Sequence, residues 1–140
     1  MSDSAIDARL KEVFESEFAL AQPAIARYYQ NLPVKQPSSH YVVANVTTLV
    51  TRRENLGSQL QFRKHGVINV QCFAPEDQGM KKLLQIADSV AKIFIDRQIA
   101  IPGQGALTTY ECETKHRGAL NGFYCITVTA CYRAHVSIER

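Results

Sequence analysis

The sequence predicts an α+β fold, a mainly antiparallel β-sheet of about four strands with two helices packed on it, in the order α-β-β-α-β-β. Three observations carry this. Two segments repeat apolar residues every three or four positions, the period of a helix buried on one side. Two pairs of segments alternate apolar and polar positions and are rich in β-branched and aromatic residues, as half-buried strands are. Proline and glycine fall between these segments, where the chain must turn.

The first helix is expected from Ser4 onward. In AIDARLKEVFESEF, Ile6, Leu10, Val13, Phe14 and Phe18 share one face, while Asp7, Lys11, Glu12 and Glu15 fall elsewhere. Ser4 with Asp7 three residues later resembles a capping box. Pro23 follows the helix. Pro33 and Pro37 then push their predecessors toward extended backbone, which predicts an irregular crossing. From Tyr41 to Val50, a strand sets Val42, Ala44, Val46, Thr48 and Val50 on one face and Val43, Asn45 and Leu49 on the other. Asn55 and Gly57 permit a reversal into a second strand, Phe62 to Ala74, completing a long hairpin.

In that second strand Ile68, Val70, Cys72 and Ala74 share one side, with Val67, Asn69, Gln71 and Phe73 on the other. Pro75 has no N–H to add to the ladder, and Glu76 and Asp77 suit a helix N-terminus. The second helix, MKKLLQIADSVAKIFIDRQ, aligns Met80, Leu83, Leu84, Ala87, Val90, Ala91 and Phe94 in one stripe. After the loop IPGQG, LTTYECET and FYCITVTACYRAHV are expected to form a second hairpin through the turn KHRGALNG. No internal repeat beyond this halved order, no low-complexity tract and no linker is evident, so residues 1–140 are read as one domain.

Composition narrows the function. Hydrophobic residues at 46% and charged residues at 21% are globular values. Sixteen Lys and Arg against 13 Asp and Glu leave a formal charge of only +3, scattered along the chain, so the strong electrostatic signature of a nucleic-acid binder is missing. The polar, acidic start MSDSAIDARL does not read as a secretory signal, and no stretch approaches the ~20 apolar residues of a membrane span. Four cysteines without such a signal suit a reducing compartment and interior positions.

Candidate chemistry is sparse. Cys112, His116, Cys125 and Cys131 are zinc-type ligands, but no CxxC or HxxxH pair exists, and Cys125 and Cys131 are about 20 Å apart at strand rise. Cys72 with His65 or His40 would make a thiol-base pair only if the fold joined them, and a cysteine in an apolar row behaves as a small hydrophobe. IPGQG lacks the Lys-Ser/Thr ending of a phosphate-binding loop. The basic clusters Arg52-Arg53, Arg63-Lys64 and Lys115-His116-Arg117 read as solvated hairpin tips or as docking points for an acidic partner. Some of the six tyrosines suit an interface. No enzyme, cofactor or metal is expected.

Asn31-Leu32-Pro33 followed by Pro37 and the strand from Tyr41, Arg63-Lys64-His65-Gly66 leading into VINVQCFAP, the helix after Gly79, and Gly122-Phe123-Tyr124 opening ITVTACYRA occur in an order that resembles the tail terminator, or tail completion, proteins of long-tailed bacteriophages, typified by minor tail protein U. The resemblance spans nearly the whole chain; the four cysteines depart from it. It implies a virion protein, assembled in the host cytoplasm, that forms a ring, six-fold in the family. That ring sits on the head-proximal end of the tail tube, stops tube polymerisation and offers a surface to the head or neck. The partners it implies are further copies of the chain, the tail tube protein and a head completion or neck protein, with DNA passing through the lumen and no membrane. Polarity between the expected strands places ring and tube contacts at Arg52, Arg53, Glu54, Asn55, Leu56, Gln59 and Gln61, with Arg63 and Lys64 beside them, and at Lys115, His116, Arg117 and Asn121. The alternative is a small α+β module that binds nucleic acid or protein without catalysis.

Overall fold

The computed structural model of the protein describes residues 3–29, 39–53, 60–103 and 105–138. Helix α1 (Asp3–Ala21) is followed by β1 (Ala26–Tyr29), β2 (Tyr41–Arg53) and β3 (Leu60–Pro75). A single 3-10 turn (Glu76–Gln78) leads into α2 (Lys81–Phe94), and β4 (Arg97–Ile101), β5 (Gly105–Leu120) and β6 (Phe123–Ile138) complete the chain. All six strands join one curled sheet in the order β1-β2-β3-β6-β5-β4, with β1 parallel to β2 and every other neighbour antiparallel.

This corrects the four-stranded antiparallel sheet and the α-β-β-α-β-β order expected from the sequence. Each missed strand is short. ARYY in β1 has four half-buried residues with no alternation to betray it, and its partner is a parallel strand, a pairing that local sequence cannot announce. Strand β4, RQIAI, is five residues long, and the sequence pattern divides it, with Arg97 and Gln98 reading as the end of the helix and Ile101 as the start of the loop IPGQG. The helix stops at Phe94 because Ile95 is extended and Asp96 turns back at φ 43°.

Smaller differences have local causes. On β2 the register shifts between Thr48 and Val50, so the extra residue Leu49 moves Val50 off the core face and leaves both exposed. On α2 Leu84 is exposed, while Ile86 and Ile93 are buried in its place. Glu76 and Asp77 occupy the exposed 3-10 turn rather than capping α2, which has no side-chain cap. The second hairpin turns at Asn121-Gly122, whose φ angles of 52° and 82° are the pair of positive values that an Asn-Gly turn supplies to join twisted strands. Lys115, His116 and Arg117 therefore lie within β5 and not in a turn.

The core forms where both helices meet one face of the sheet. Ile6, Leu10, Val13, Phe14 and Phe18 from α1 and Leu83, Ile86, Val90 and Phe94 from α2 are buried against Val42, Ala44, Ile68, Val70, Cys72, Ile126, Val128 and Ala130. Phe14 stacks on Phe18 at 5.0 Å and faces Phe94 at 6.4 Å, so one ring joins the two helices. Helix α1 also grips both edges of the sheet. Glu15 accepts hydrogen bonds from Arg27 Nε at 3.0 Å and from the Tyr29 hydroxyl on β1. Glu17 pairs with Arg97 on β4, and Arg9 Nε donates to the carbonyl of Ala100 at 2.8 Å. Burial, and then the Glu15 bond, hold the Tyr29 hydroxyl well above the usual phenol range.

Gly66 is the tightest point of the sheet. Paired with Thr48 on one side and Tyr132 on the other, it lies beneath the fully buried Tyr132 ring, whose hydroxyl shares a 2.9 Å hydrogen bond with Thr48 Oγ1. A Cβ at this position would overlap the Thr47 carbonyl oxygen and the end of the Tyr132 ring. Glycine is needed here for close approach. Gly66→Ala is expected to lower stability by about 1–3 kcal/mol, read as a lower urea midpoint at an unchanged slope. Unchanged stability would show that the sheet has room for the methyl.

Candidate interaction surface

The uncovered face of the sheet has three zones, set by strand alternation. At one end Tyr41, Phe73 and Phe123 cluster with Tyr28; Tyr41 stacks on Phe73 at 4.6 Å and meets Phe123 edge-on at 5.4 Å. Asn45, Asn69, Gln71, Thr127 and Thr129 form a polar middle on β2, β3 and β6, flanked on β5 by Glu113 and Lys115, and there Thr129 Oγ1 donates to Asn69 Oδ1 at 2.9 Å. At the far end the face is cationic. Arg52 stands opposite Arg63, which stands opposite His135, and in the next row His65 stands opposite Arg133. Val50, Arg52, Arg53, Arg63, His65 and His135 line one open groove there.

These positions separate the residues expected at ring and tube contacts. Arg52, Arg53, Gln61 and Arg63 come together on the arm formed by the ends of β2, β3 and β6. Lys64 lies beside them in sequence but points the other way: its Nζ donates to Asp3 Oδ1 at 2.7 Å, and its side chain is only 15% exposed. That bond is the first cause holding the Asp3 carboxyl below the usual carboxylate range. Lys115, His116 and Arg117 lie at the opposite end of the sheet, opposite Thr127 to Cys125 of β6, about 30 Å along that strand from His135. Lys115 is bridged to Glu113 at 3.4 Å, Arg117 Nε donates to Thr127 Oγ1 at 3.4 Å, and Asn121 sits in the nearby turn. Glu54, Asn55, Leu56 and Gln59 lie outside the described residues.

Arg133 and His135 were not singled out from the sequence, and His65 only as a possible base for Cys72, although the three complete the cationic zone. The signal was present but divided. Strand alternation puts each on the solvent side, yet only the register of β3 against β6 brings them beside Arg52 and Arg63.

The reactive side chains are dispersed. Cys72 is on the core face; His65, seven residues earlier, is on the other, so the two do not form a thiol-base pair. Cys112 turns toward α2, its Sγ 3.7 Å from the Ala91 carbonyl oxygen, whereas Cys125 and Cys131 belong to the uncovered face of β6. All four thiols are free, and among the described residues no three His, Cys, Asp or Glu side chains gather as a metal site. Burial pushes the Cys72 thiol up to about 12 and raises the Cys112 and Cys125 thiols as well.

Comparison with known proteins matches residues 3–129 to a family model described as phage tail terminator protein. No curated protein matches. Among solved structures, one chain is 20% identical, covers 100% of this chain and 99% of its own, and superposes with a TM-score of 0.74. A chain from the virion of a native gene transfer agent particle is 13% identical, covers 99% of this chain and 100% of its own, and gives a TM-score of 0.64. At these identities the likeness is one of fold.

The buried thiol gives a direct test. A thiol at about 12 stays protonated and unreactive at pH 8, so Cys72 is expected to resist alkylation in the native protein and to react once urea unfolds it. Its folded value lies above the unfolded value near 9, so its contribution to stability is intact below pH 9 and is lost as pH rises toward 12. Native-state labelling of Cys72 at the rate of an unfolded peptide would contradict this placement.

Proposed function

We propose, from the premise that this chain belongs to the phage tail terminator family, that it is one subunit of a closed, six-fold ring on the head-proximal end of the tail tube. The family is structural rather than enzymatic, and membership in it gives the chain a structural role in a phage tail. The finer reading is a ring that stops tube polymerisation and presents a joining surface to a head completion or neck protein, with DNA crossing the lumen. The chain acts as one domain and needs no cofactor.

The observation that carries this reading is the arm. The ends of β2 and β3 hold Leu49, 63% exposed, beside exposed Val50, Arg52 and Arg53, an apolar and cationic surface. The second polar group, Lys115 to Arg117 with Asn121, lies at the other end of the sheet. Two different patches at opposite ends suit a head-to-tail contact, which forms a closed ring when the rotation between copies divides the circle. We assign ring and tube contacts to 52–61 with Arg63, and to 115–121; Lys64, turned to Asp3, is set aside. Growth of the tube stops because the ring's far side offers a different surface from the one the tube protein extends.

Light scattering on the purified chain is expected to show a concentration-dependent assembly of six times the 15.7 kDa of one chain, and electron microscopy to show rings on tail ends. Reversing Arg53 and Lys115 to Glu is expected to shift the assembly toward monomer by tenfold or more in concentration. Full-size rings and infectious tails from that double variant would remove the contact assignment. A chain monomeric at every concentration, and absent from virions, would leave the non-catalytic binding module as the better reading.

A further inference from the structure

We propose that copies of this chain join by backbone pairing, the open part of β2 in one copy forming an antiparallel ladder with the open part of β5 in the next. The inference rests on the ring reading and names the surfaces that close the ring.

Both segments are sheet edges that no described strand covers. Strand β1 pairs with residues 41–44, four of the 13 in β2, and β4 pairs with residues 105–109, five of the 16 in β5. Beyond them Thr47 and residues 49–53 are exposed on β2, as are Glu111, residues 113–117 and Ala119 on β5. Neither open part contains a proline, so each keeps the N–H and C=O groups that a further strand needs.

The two edges are complementary in place. Measured against β6, the open part of β2 runs from the level of Thr129, through Asn45 and Asn69, to that of Val136, through Arg53 and Phe62. The open part of β5 runs from Ala130, opposite Cys112, to Phe123, opposite Leu120. One flank of the sheet is therefore filled by β1 near the Phe123 end and open toward the arm, while the other is filled by β4 toward the arm and open near Phe123. When the open parts face each other, β1 and β4 fall beyond the new ladder, and the arginines that tie them to α1 stay in place.

Direction and spacing agree with this pairing. Strands β2 and β5 run opposite ways, three antiparallel steps apart, so copies that face the same way pair them antiparallel. The bulges leave 50–53 and 112–116 as runs of regular register. Matching the solvent sides of the sheet puts Arg52 opposite Glu113, an opposite-charge pair, and Val50 opposite the stem of Lys115. Arg52 is level with His135 and Glu113 with Thr129, six residues apart on β6, so each copy is staggered by about 20 Å. Spread over β2, β3, β6 and β5, a width of about 19 Å, that stagger tilts the strands by about 45°. Closed sheets take tilts of about 35–45°, so the stagger is one that a closed ring accommodates. Closure also removes two long edges that would otherwise recruit chains without limit.

Two measurements test the ladder. Hydrogen exchange at 50–53 and 112–116 is expected to be slower by tenfold or more in the assembled chain than in the same chain diluted to monomer, with β1 and β4 unchanged. Arg52→Cys with Glu113→Cys, oxidised after assembly, should give a series of disulfide-linked multimers on a non-reducing gel, because directly opposite Cβ atoms are close enough to bridge. The wild-type chain, and Arg52→Cys with Arg117→Cys, which is out of register, should give none. The exchange measurement needs no substitution, so a variant that fails to fold does not shield the proposal. Assembly without slowed exchange at these segments, or cross-linking only in the out-of-register variant, overturns the pairing and leaves the ring standing. A chain monomeric at every concentration removes the ring and the pairing together.

Discussion

The grip of α1 on both edges of the sheet determines the shape of the molecule. Six strands laid flat would put β1 and β4 about 24 Å apart, whereas a helix with its side chains is about 10–12 Å across. One helix cannot touch both edges of such a sheet. Here α1 does, through Glu15 to Arg27 and Tyr29 on β1 and through Glu17 and Arg9 to β4. The two glutamates are two residues apart, about 200° around the helix, and so reach opposite ways. The sheet must curl until its edges meet the helix, and Phe14, Phe18 and Phe94 fill the trough that results.

Curling makes the two faces unequal. The inner face is apolar from Val42 to Ala134 and is closed by both helices. Among the described residues no helix packs on the outer face, so aromatic, polar and cationic rows remain in sequence along it. Chemistry follows from this division. Thiols sent inward are desolvated and kept protonated, as Cys72 is, and strand alternation sends His65 to the other face. What remains for function is a patterned surface, in keeping with a structural role in a tail.

Periodicity in the sequence revealed the two helices and the two long hairpins, because a one-sided core imprints a period of 3.6 or 2 on every element long enough to display it. Ile6, Leu10, Val13, Phe14 and Phe18 are buried as that period requires, and Ile68, Val70 and Cys72 share a buried row. Features decided by distant partners were hidden. Nothing within Ala26–Tyr29 states that Tyr41–Ala44 will lie parallel to it, and nothing within Arg97–Ile101 states that Glu17 will receive Arg97. The cationic groove shares this difficulty. Arg52, Arg63 and His135 are far apart in sequence and become one surface through register, which a single bulge at Leu49 adjusts. Had Leu49 paired in a regular ladder instead of bulging, Arg52 would point to the opposite face.

The missed strands also bear on how copies can meet. The sheet order reads as two halves, a helix, a short strand and a long hairpin in each, joined where β3 meets β6, yet β1 is parallel to its neighbour and β4 antiparallel. The two edges are therefore unlike. Each is also short, four and five residues, and each carries an arginine bound to α1. Short edges with charged, tethered side chains resist pairing with another chain. A ring built by pairing β1 or β4 with another copy would have to release Arg27 or Arg97 and with it the clamp that keeps the sheet curled. Contacts through the arm and the β5–β6 end make no such demand, which is why the proposed assembly is assigned to those ends and not to the edges.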